Sequence, residues 1–226
     1  MSDLKNHHDL KRPVAIIDYD MGNLFSVARA CEMVGIKADI TNRRDDILNA
    51  AGVILPGVGA FGDAMEVLCS HNLVDTIKEI INRDVPFMGI CLGMQLLLSR
   101  SQEFGVHAGL DVVSGEVLKF PGDSEGQKDC KVPQVQWNMA NKSGDWKNSL
   151  LAECSEKSFM YFVHSYYVKP RDASIVVSTT EYASTVFCSS FQRGNLFACQ
   201  FHPEKSGQEG LLIYKAFGQR VAHPAR

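Results

Sequence analysis

Gly89-Ile90-Cys91-Leu92-Gly93 places a cysteine between two glycines at the end of an apolar run. Where a strand turns directly into a helix, this spacing is that of a nucleophile elbow. The glycines leave room where the backbone doubles back and side chains two positions away would collide. The turn sets the thiol at a helix N-terminus, where unpaired N–H groups and the helix dipole favour a thiolate. The Leu92 N–H then falls where a tetrahedral oxyanion would form. The plainer reading is a buried cysteine between packing glycines, and five residues alone do not separate the two.

A thiolate nucleophile needs a base, and the base needs an orienting group. His202-Pro203-Glu204 supplies both. Proline favours extended backbone in the residue before it, and alternate side chains of an extended segment share a face. His202 and Glu204 therefore point the same way. A solvated surface turn is the alternative. Of seven histidines, however, only this one has a carboxylate two residues on across a proline. A third piece, Pro56-Gly57-Val58-Gly59, can offer backbone N–H groups to an oxyanion. It lacks the Gly-Lys-Ser/Thr ending of a phosphate-binding loop.

These pieces need a frame that brings them together. Val14 to Asp18, Ala38 to Thr41, Val53 to Leu55 and Val85 to Ile90 read as short buried strands. Helical patterns lie between and after them: Leu24 to Val34 with Gly35 at its C-terminal cap, Asp63 to Cys69, Leu73 to Arg83 and Leu92 to Ser99. This alternation predicts an α/β fold with a doubly wound sheet. Ligands of such sheets bind beyond the carboxyl ends of the strands. Strands ending at Leu55, Ile90 and Phe201 would bring the glycine loop, Cys91 and His202 to one rim. From Gly105 to Gly144 no long helical pattern occurs. Strands are expected at Phe159 to Val163, Ile175 to Val177, Thr185 to Phe187 and Leu196 to Cys199, with a hairpin loop at Gln192 to Asn195 and a closing helix from Gln208 to Phe217. The sheet is thus expected to be mixed, with an antiparallel, strand-rich second half.

Composition narrows the class. The 226 residues carry 23 Lys and Arg against 26 Asp and Glu, a net charge of −3 that does not suit a general nucleic-acid binder. A 45% hydrophobic share is that of a globular domain, not of a disordered chain. Residues 1–13 form a polar N-terminal extension, and residues 14–226 read as one domain. The longest apolar run, Val85 to Leu98, is broken by Gly89, Gly93 and Gln95, which argues against a membrane span. Seven cysteines without a Cys-x-x-Cys pair argue against a disulfide framework or a zinc site. A cytoplasmic enzyme with reduced thiols, no metal and no cofactor is expected.

In order along the chain, Pro-Gly-Val-Gly, Gly-Ile-Cys-Leu-Gly-Met-Gln and His-Pro-Glu resemble the class I (triad) glutamine amidotransferases, whose domain is flavodoxin-like. Asp18 to Leu24 with Ser26-Val27, Pro56 to Phe61, Tyr161 to Tyr166 and His202 to Ser206 make the chain most similar to the glutaminase subunits of imidazole glycerol phosphate synthase. The resemblance implies that Cys91 attacks the side-chain amide of glutamine, His202 shuttles the proton and Glu204 orients His202. It implies an oxyanion hole from the N–H groups of Leu92 and of Val58 or Gly59. It further implies that Gly57, Gln95, Ser165 and Tyr166 hold the glutamine. A (β/α)₈-barrel cyclase partner would receive the ammonia in histidine biosynthesis, with Tyr161, Lys205, Trp137 and Asn138 near the interface. Trp137 could equally be a partly buried core residue.

One segment departs from the family. Lys-x-Pro-His-x-Gly-Trp-Asn is usual; here Gln134 replaces the histidine and Gln136 the glycine. The departure bears on the partner contact and leaves open a paralogous glutaminase feeding another synthase, such as a surface-sugar amidotransferase. A stand-alone cysteine amidohydrolase and a non-catalytic docking module are the other readings. At 226 residues the chain has room for a glutaminase domain and not for a synthase as well. The ammonia-consuming half is therefore expected on another chain.

Overall fold

The first half of the chain repeats one rhythm, a short apolar strand followed by a helix with one apolar stripe. The computed structural model describes residues 12–121 and 131–223. Its first strands are β1 (Val14–Ile17), β2 (Ala38–Thr41), β3 (Gly52–Leu55) and β4 (Phe87–Ile90). Its first helices are α1 (Leu24–Met33), α2 (Arg44–Leu48), α3 (Phe61–Ser70), α4 (Leu73–Asn82) and α5 (Leu92–Leu96). Strands β1, β3 and β4 are buried along their whole length, which their unbroken apolar runs require. In α4, Leu73, Thr76, Ile77 and Ile80 form the single buried stripe of an amphipathic helix. Gly35 follows α1 with φ 79°, the left-handed residue that ends many helices.

The second half supplies β5 (Leu98–Ser101), β6 (His107–Ala108), β7 (Val113–Lys119), β8 (Gln134–Lys142), β9 (Lys157–His164), β10 (Tyr166–Pro170), β11 (Val176–Tyr182), β12 (Thr185–Arg193) and β13 (Leu196–Cys199), then α6 (Gly207–Ala222). All join one open mixed sheet. Its parallel part runs β2-β1-β3-β4-β13, the flavodoxin-like order. From β13 the sheet continues antiparallel through β12, β10 and β7, and a branch runs β12-β11-β8-β9. The carboxyl ends of β3, β4 and β13 are adjacent, so the glycine loop, Cys91 and His202 share one rim. Two apolar layers, one on each face, hold this sheet.

One expectation needs correction. The helix expected over Leu92 to Ser99 stops at Leu96, because Leu98–Ser101 leaves it to pair with β6 and β7. The region from Gly105 to Gly144, for which no long helix and no particular strand was expected, contains β6, β7 and β8. Residues 1–11 of the expected N-terminal extension and Cys130 lie outside the described residues. Among the described residues, no helix is long and apolar enough to cross a membrane.

Packing is very tight where the elbow crosses β3. A Cβ on Gly93 would overlap the Leu55 carbonyl oxygen, part of the backbone of a fully buried strand. Neither side can yield, since the interior is close-packed. Gly93→Ala is therefore expected to cost about 3 kcal/mol or more, read as a fall in the urea midpoint; a midpoint equal to wild type would contradict this packing.

Candidate active site

Cys91 sits at the turn between β4 and α5 with φ 54° and ψ −110°, a backbone conformation side chains rarely adopt. Its N–H donates to the Cys199 carbonyl at 2.8 Å, which ties the elbow to β13. The thiol faces a cavity of about 300 Å³ whose walls include Val58, Gly59, Leu92, Gln95, Glu103, Ser165, Tyr166 and His202. Three larger hollows among the described residues, beside β2 and α2, between the end of α1 and α6, and around Asn148 and Gln192, have no cysteine in their walls. The other buried thiols among the described residues are unsuited to attack. Burial pushes those of Cys31 and Cys154 up to about 12, and burial also raises Cys188 and Cys199.

His202 emerges from the end of β13 into the single turn Pro203–Lys205. Its N–H donates to the Tyr161 carbonyl at 2.9 Å, and the Ser206 hydroxyl donates to its carbonyl at 2.6 Å. Its Nδ1 lies 2.7 Å from Glu204 Oε1, and both side chains are almost wholly buried. Nδ1–H therefore donates to the carboxylate and turns Nε2 towards the cavity. Nε2 has no hydrogen bond of ordinary geometry among the described residues. Its neighbour in charge is Cys91. Burial disfavours the imidazolium, but Cys91 and then Glu204 outweigh it and raise His202 to about 10. Glu204 Oε2 and the Tyr214 hydroxyl are also buried without partners among the described residues.

The glycine loop is clasped from behind. Tyr19, fully buried, donates its hydroxyl to the Pro56 carbonyl at 2.8 Å. A Cβ on Gly57 would strike that hydroxyl and come within 2.9 Å of the Gly93 nitrogen. Gly57 lies behind the cavity wall, and its carbonyl accepts the Leu92 N–H at 3.4 Å. The Val58 N–H donates to the Met21 carbonyl at 3.3 Å. Of the three residues assigned to the oxyanion hole by resemblance, Leu92 and Val58 thus already have carbonyl partners, although both bonds are long, while Gly59, with φ 105°, lines the cavity.

The glutamine-binding expectations fall unequally. Ser165 and Tyr166 line the cavity. Gln95 is buried, and its Nε2 donates to both the Tyr166 carbonyl and Gln200 Oε1, each at 3.0 Å. Two residues missed in the sequence join them. Glu103 lines the cavity and accepts the Phe61 N–H at 2.6 Å, which anchors the start of α3 just after the glycine loop. Burial raises its carboxyl, the Phe61 N–H opposing. Gln200 donates to the Cys91 sulfur at 3.7 Å. Gln200 was legible only through its place between Cys199 and the base; Glu103 left no pattern at all.

The expected interface residues divide as well. Trp137 is half-exposed on β8, directly opposite Tyr161 on β9, and their ring centroids lie 6.2 Å apart. The Tyr161 ring lies 6.4 Å from the His202 imidazole, and Lys205 Nζ lies 5.8 Å above it. Asn138 does not join this group; its side chain donates to the Glu181 carbonyl at 2.9 Å. Gln136 lies in the regular β8–β9 ladder opposite Phe162, where no glycine is required. Gln134 is fully buried opposite His164. Among the described residues, no group of His, Cys, Asp and Glu is placed to hold a metal ion.

The model of the glutamine amidotransferase class-I family matches residues 15–217. The imidazole glycerol phosphate synthase subunit HisH of Moorella thermoacetica is 48% identical over 94% of this chain and 97% of its own length. Its namesake from Syntrophotalea carbinolica is 45% identical over 91% and 98%. Among solved structures, PurLQS from Thermotoga maritima superposes with a TM-score of 0.68 over 93% of this chain and 99% of the other, at 19% identity. A glutamine amidotransferase from the same organism gives 0.59 over 93% and 84%, also at 19%; these two speak for the fold alone. The chain belongs to the class-I glutamine amidotransferases and, within them, to the HisH family of imidazole glycerol phosphate synthase subunits.

Proposed function

We propose that Cys91, His202 and Glu204 hydrolyse glutamine, and that the ammonia passes along β9 to a (β/α)₈-barrel cyclase docked on the β8–β9 face. The observation that carries the chemistry is the buried Cys91–His202–Glu204 line. The Cys91 thiolate attacks the side-chain amide carbon. A C–S bond forms and the carbonyl electron pair moves to oxygen. As the C–N bond breaks, His202 Nε2–H gives its proton to the departing nitrogen and ammonia leaves. Water then attacks the γ-glutamyl thioester and passes a proton to the neutral imidazole. Glutamate departs, and the thiolate–imidazolium pair returns. Glu103 is the one carboxylate in the cavity wall and suits the α-ammonium group of the substrate.

The oxyanion hole limits the resting chain. The Val58 N–H cannot serve an oxyanion while it donates to Met21. Partner docking that moves this loop would release it, so glutamine hydrolysis is slow in the free chain and stimulated in the complex.

The docking face follows from the strand pairing. Val135, Trp137 and Phe159 are half-exposed, and the ladder sets Trp137 opposite Tyr161 and Val135 opposite Val163. The Val163 carbonyl lies 3.9 Å from the Cys91 sulfur. An apolar stripe therefore leads from the surface to the nucleophile. Ammonia released into water would be protonated and lost as a nucleophile, so covering this stripe serves transfer. The HisH relatives favour the cyclase of histidine biosynthesis as the partner, in the cytoplasm.

Two outcomes test these readings. Trp137→Glu with Phe159→Glu is expected to abolish co-elution with the cyclase and the stimulation of glutamate release, while the rate of the free chain stays. Retained stimulation would place the interface elsewhere. His202, raised from 6.5 to about 10, contributes stability that is complete below about pH 6.5 and is lost as pH rises through about 10. The melting-temperature advantage of wild type over His202→Gln should therefore shrink across that window; an advantage independent of pH would refute the ion pair.

A further inference from the structure

Gln200 lies fully buried one residue beyond β13, between the Cys199 carbonyl that holds the elbow and the base His202. Its main-chain N–H donates to the Ser189 carbonyl at 2.9 Å. Its side chain has one possible orientation, and a chain of donors and acceptors fixes it. The Tyr166 carbonyl can only accept, so the group of Gln95 that meets it is the NH₂. The second hydrogen of that NH₂ points to Gln200, so the Gln200 atom there is the carbonyl oxygen, Oε1. The Gln200 NH₂ is thereby turned to the Cys91 sulfur, 3.7 Å away. A reversed amide would set two donors against each other and a carbonyl oxygen against a thiolate.

We propose that Gln200 is a positioning residue for the nucleophile: its amide, locked by Gln95, donates to the Cys91 sulfur and stabilises the thiolate. The proposal rests on Cys91 being the nucleophile. It also links two tasks. Gln95, which the family resemblance assigns to glutamine binding, sets the amide that sets the thiolate. A donor matters here because α5 has only five residues, and a helix that short supplies little of a full dipole. A buried anion needs its stabilisation from specific donors.

The test is the pH–rate profile of Cys91 alkylation by iodoacetamide, resolved by peptide mass spectrometry, in the complex with the cyclase subunit. Cys69, exposed on α3, is the internal control. Gln200→Met is expected to displace the Cys91 profile upward by about one pH unit, roughly tenfold less thiolate at a given pH. Gln200→Glu should displace it further, and Cys69 should not change. The turnover number for glutamine should fall with KM nearly unchanged in Gln200→Met. Gln95→Leu, which frees the Gln200 amide, should move the profile the same way and raise KM too. A folded Gln200→Met with the wild-type profile overturns the proposal. If neither Gln200 variant folds, an unchanged profile in Gln95→Leu overturns it. Failure of the underlying reading looks different: Cys91→Ser would then still hydrolyse glutamine, whatever the profiles show.

Discussion

The site depends on one strained turn. Cys91 leaves β4 with φ 54° and ψ −110°, in a region that costs of order 1–3 kcal/mol for a non-glycine residue. Without that turn the chain would run straight on and bury the thiol in the sheet. The strain is held in place by its neighbours. The Cys91 N–H is bonded to the end of β13, and Gly93 lies so close to β3 that no side chain fits. Both anchors are central parallel strands with no exposed residue. The fold thus points the sulfur outward at the only edge where β3, β4 and β13 end together.

From that position the electrostatics follow. A thiolate in a buried wall needs compensating charge or donors. The five-residue helix α5 gives little. The imidazolium of His202 faces the thiolate, and it stays charged because Glu204 lies behind it and the sulfur in front. Glu204 is reached without a long detour, since His202 and Glu204 leave the strand in three residues. The same three residues bring the Tyr161 carbonyl onto the His202 N–H, so the base and the first ring of the apolar stripe are one rigid unit. The base and the apolar stripe are therefore mechanically connected through β9.

Much of this was legible in the sequence because the relevant constraints are local. The elbow must carry glycines at its two crowded positions. The base and its orienting carboxylate must alternate across a proline. Unbroken apolar runs such as Val14–Ile17 mark strands covered on both faces. What was not legible depends on distant pairing. Leu98–Ser101 has helical company in sequence, yet β6 and β7 take it into the sheet. Strand β8, with Gln134, Gln136 and Asn138, shows no strand pattern of its own and is set by its pairing with β9. Glu103 and Gln200 are single polar residues whose meaning comes from Phe61 and Cys91, 42 and 109 positions away. Val58 and Leu92 line the same cavity as Cys91, but the carbonyl partners of their N–H groups depend on loop conformation, which no residue pattern encodes.

The central claim is that the Cys91 sulfur becomes covalently bonded to the substrate. The most direct measurement is mass spectrometry of peptides from the complex, mixed with isotopically labelled glutamine and quenched in acid during turnover. A labelled γ-glutamyl group on the peptide containing Cys91, removed by hydroxylamine as a thioester would be, is the predicted result. Continued formation of labelled glutamate with Cys91 unmodified at every quench time, and the adduct on another residue, would contradict the account.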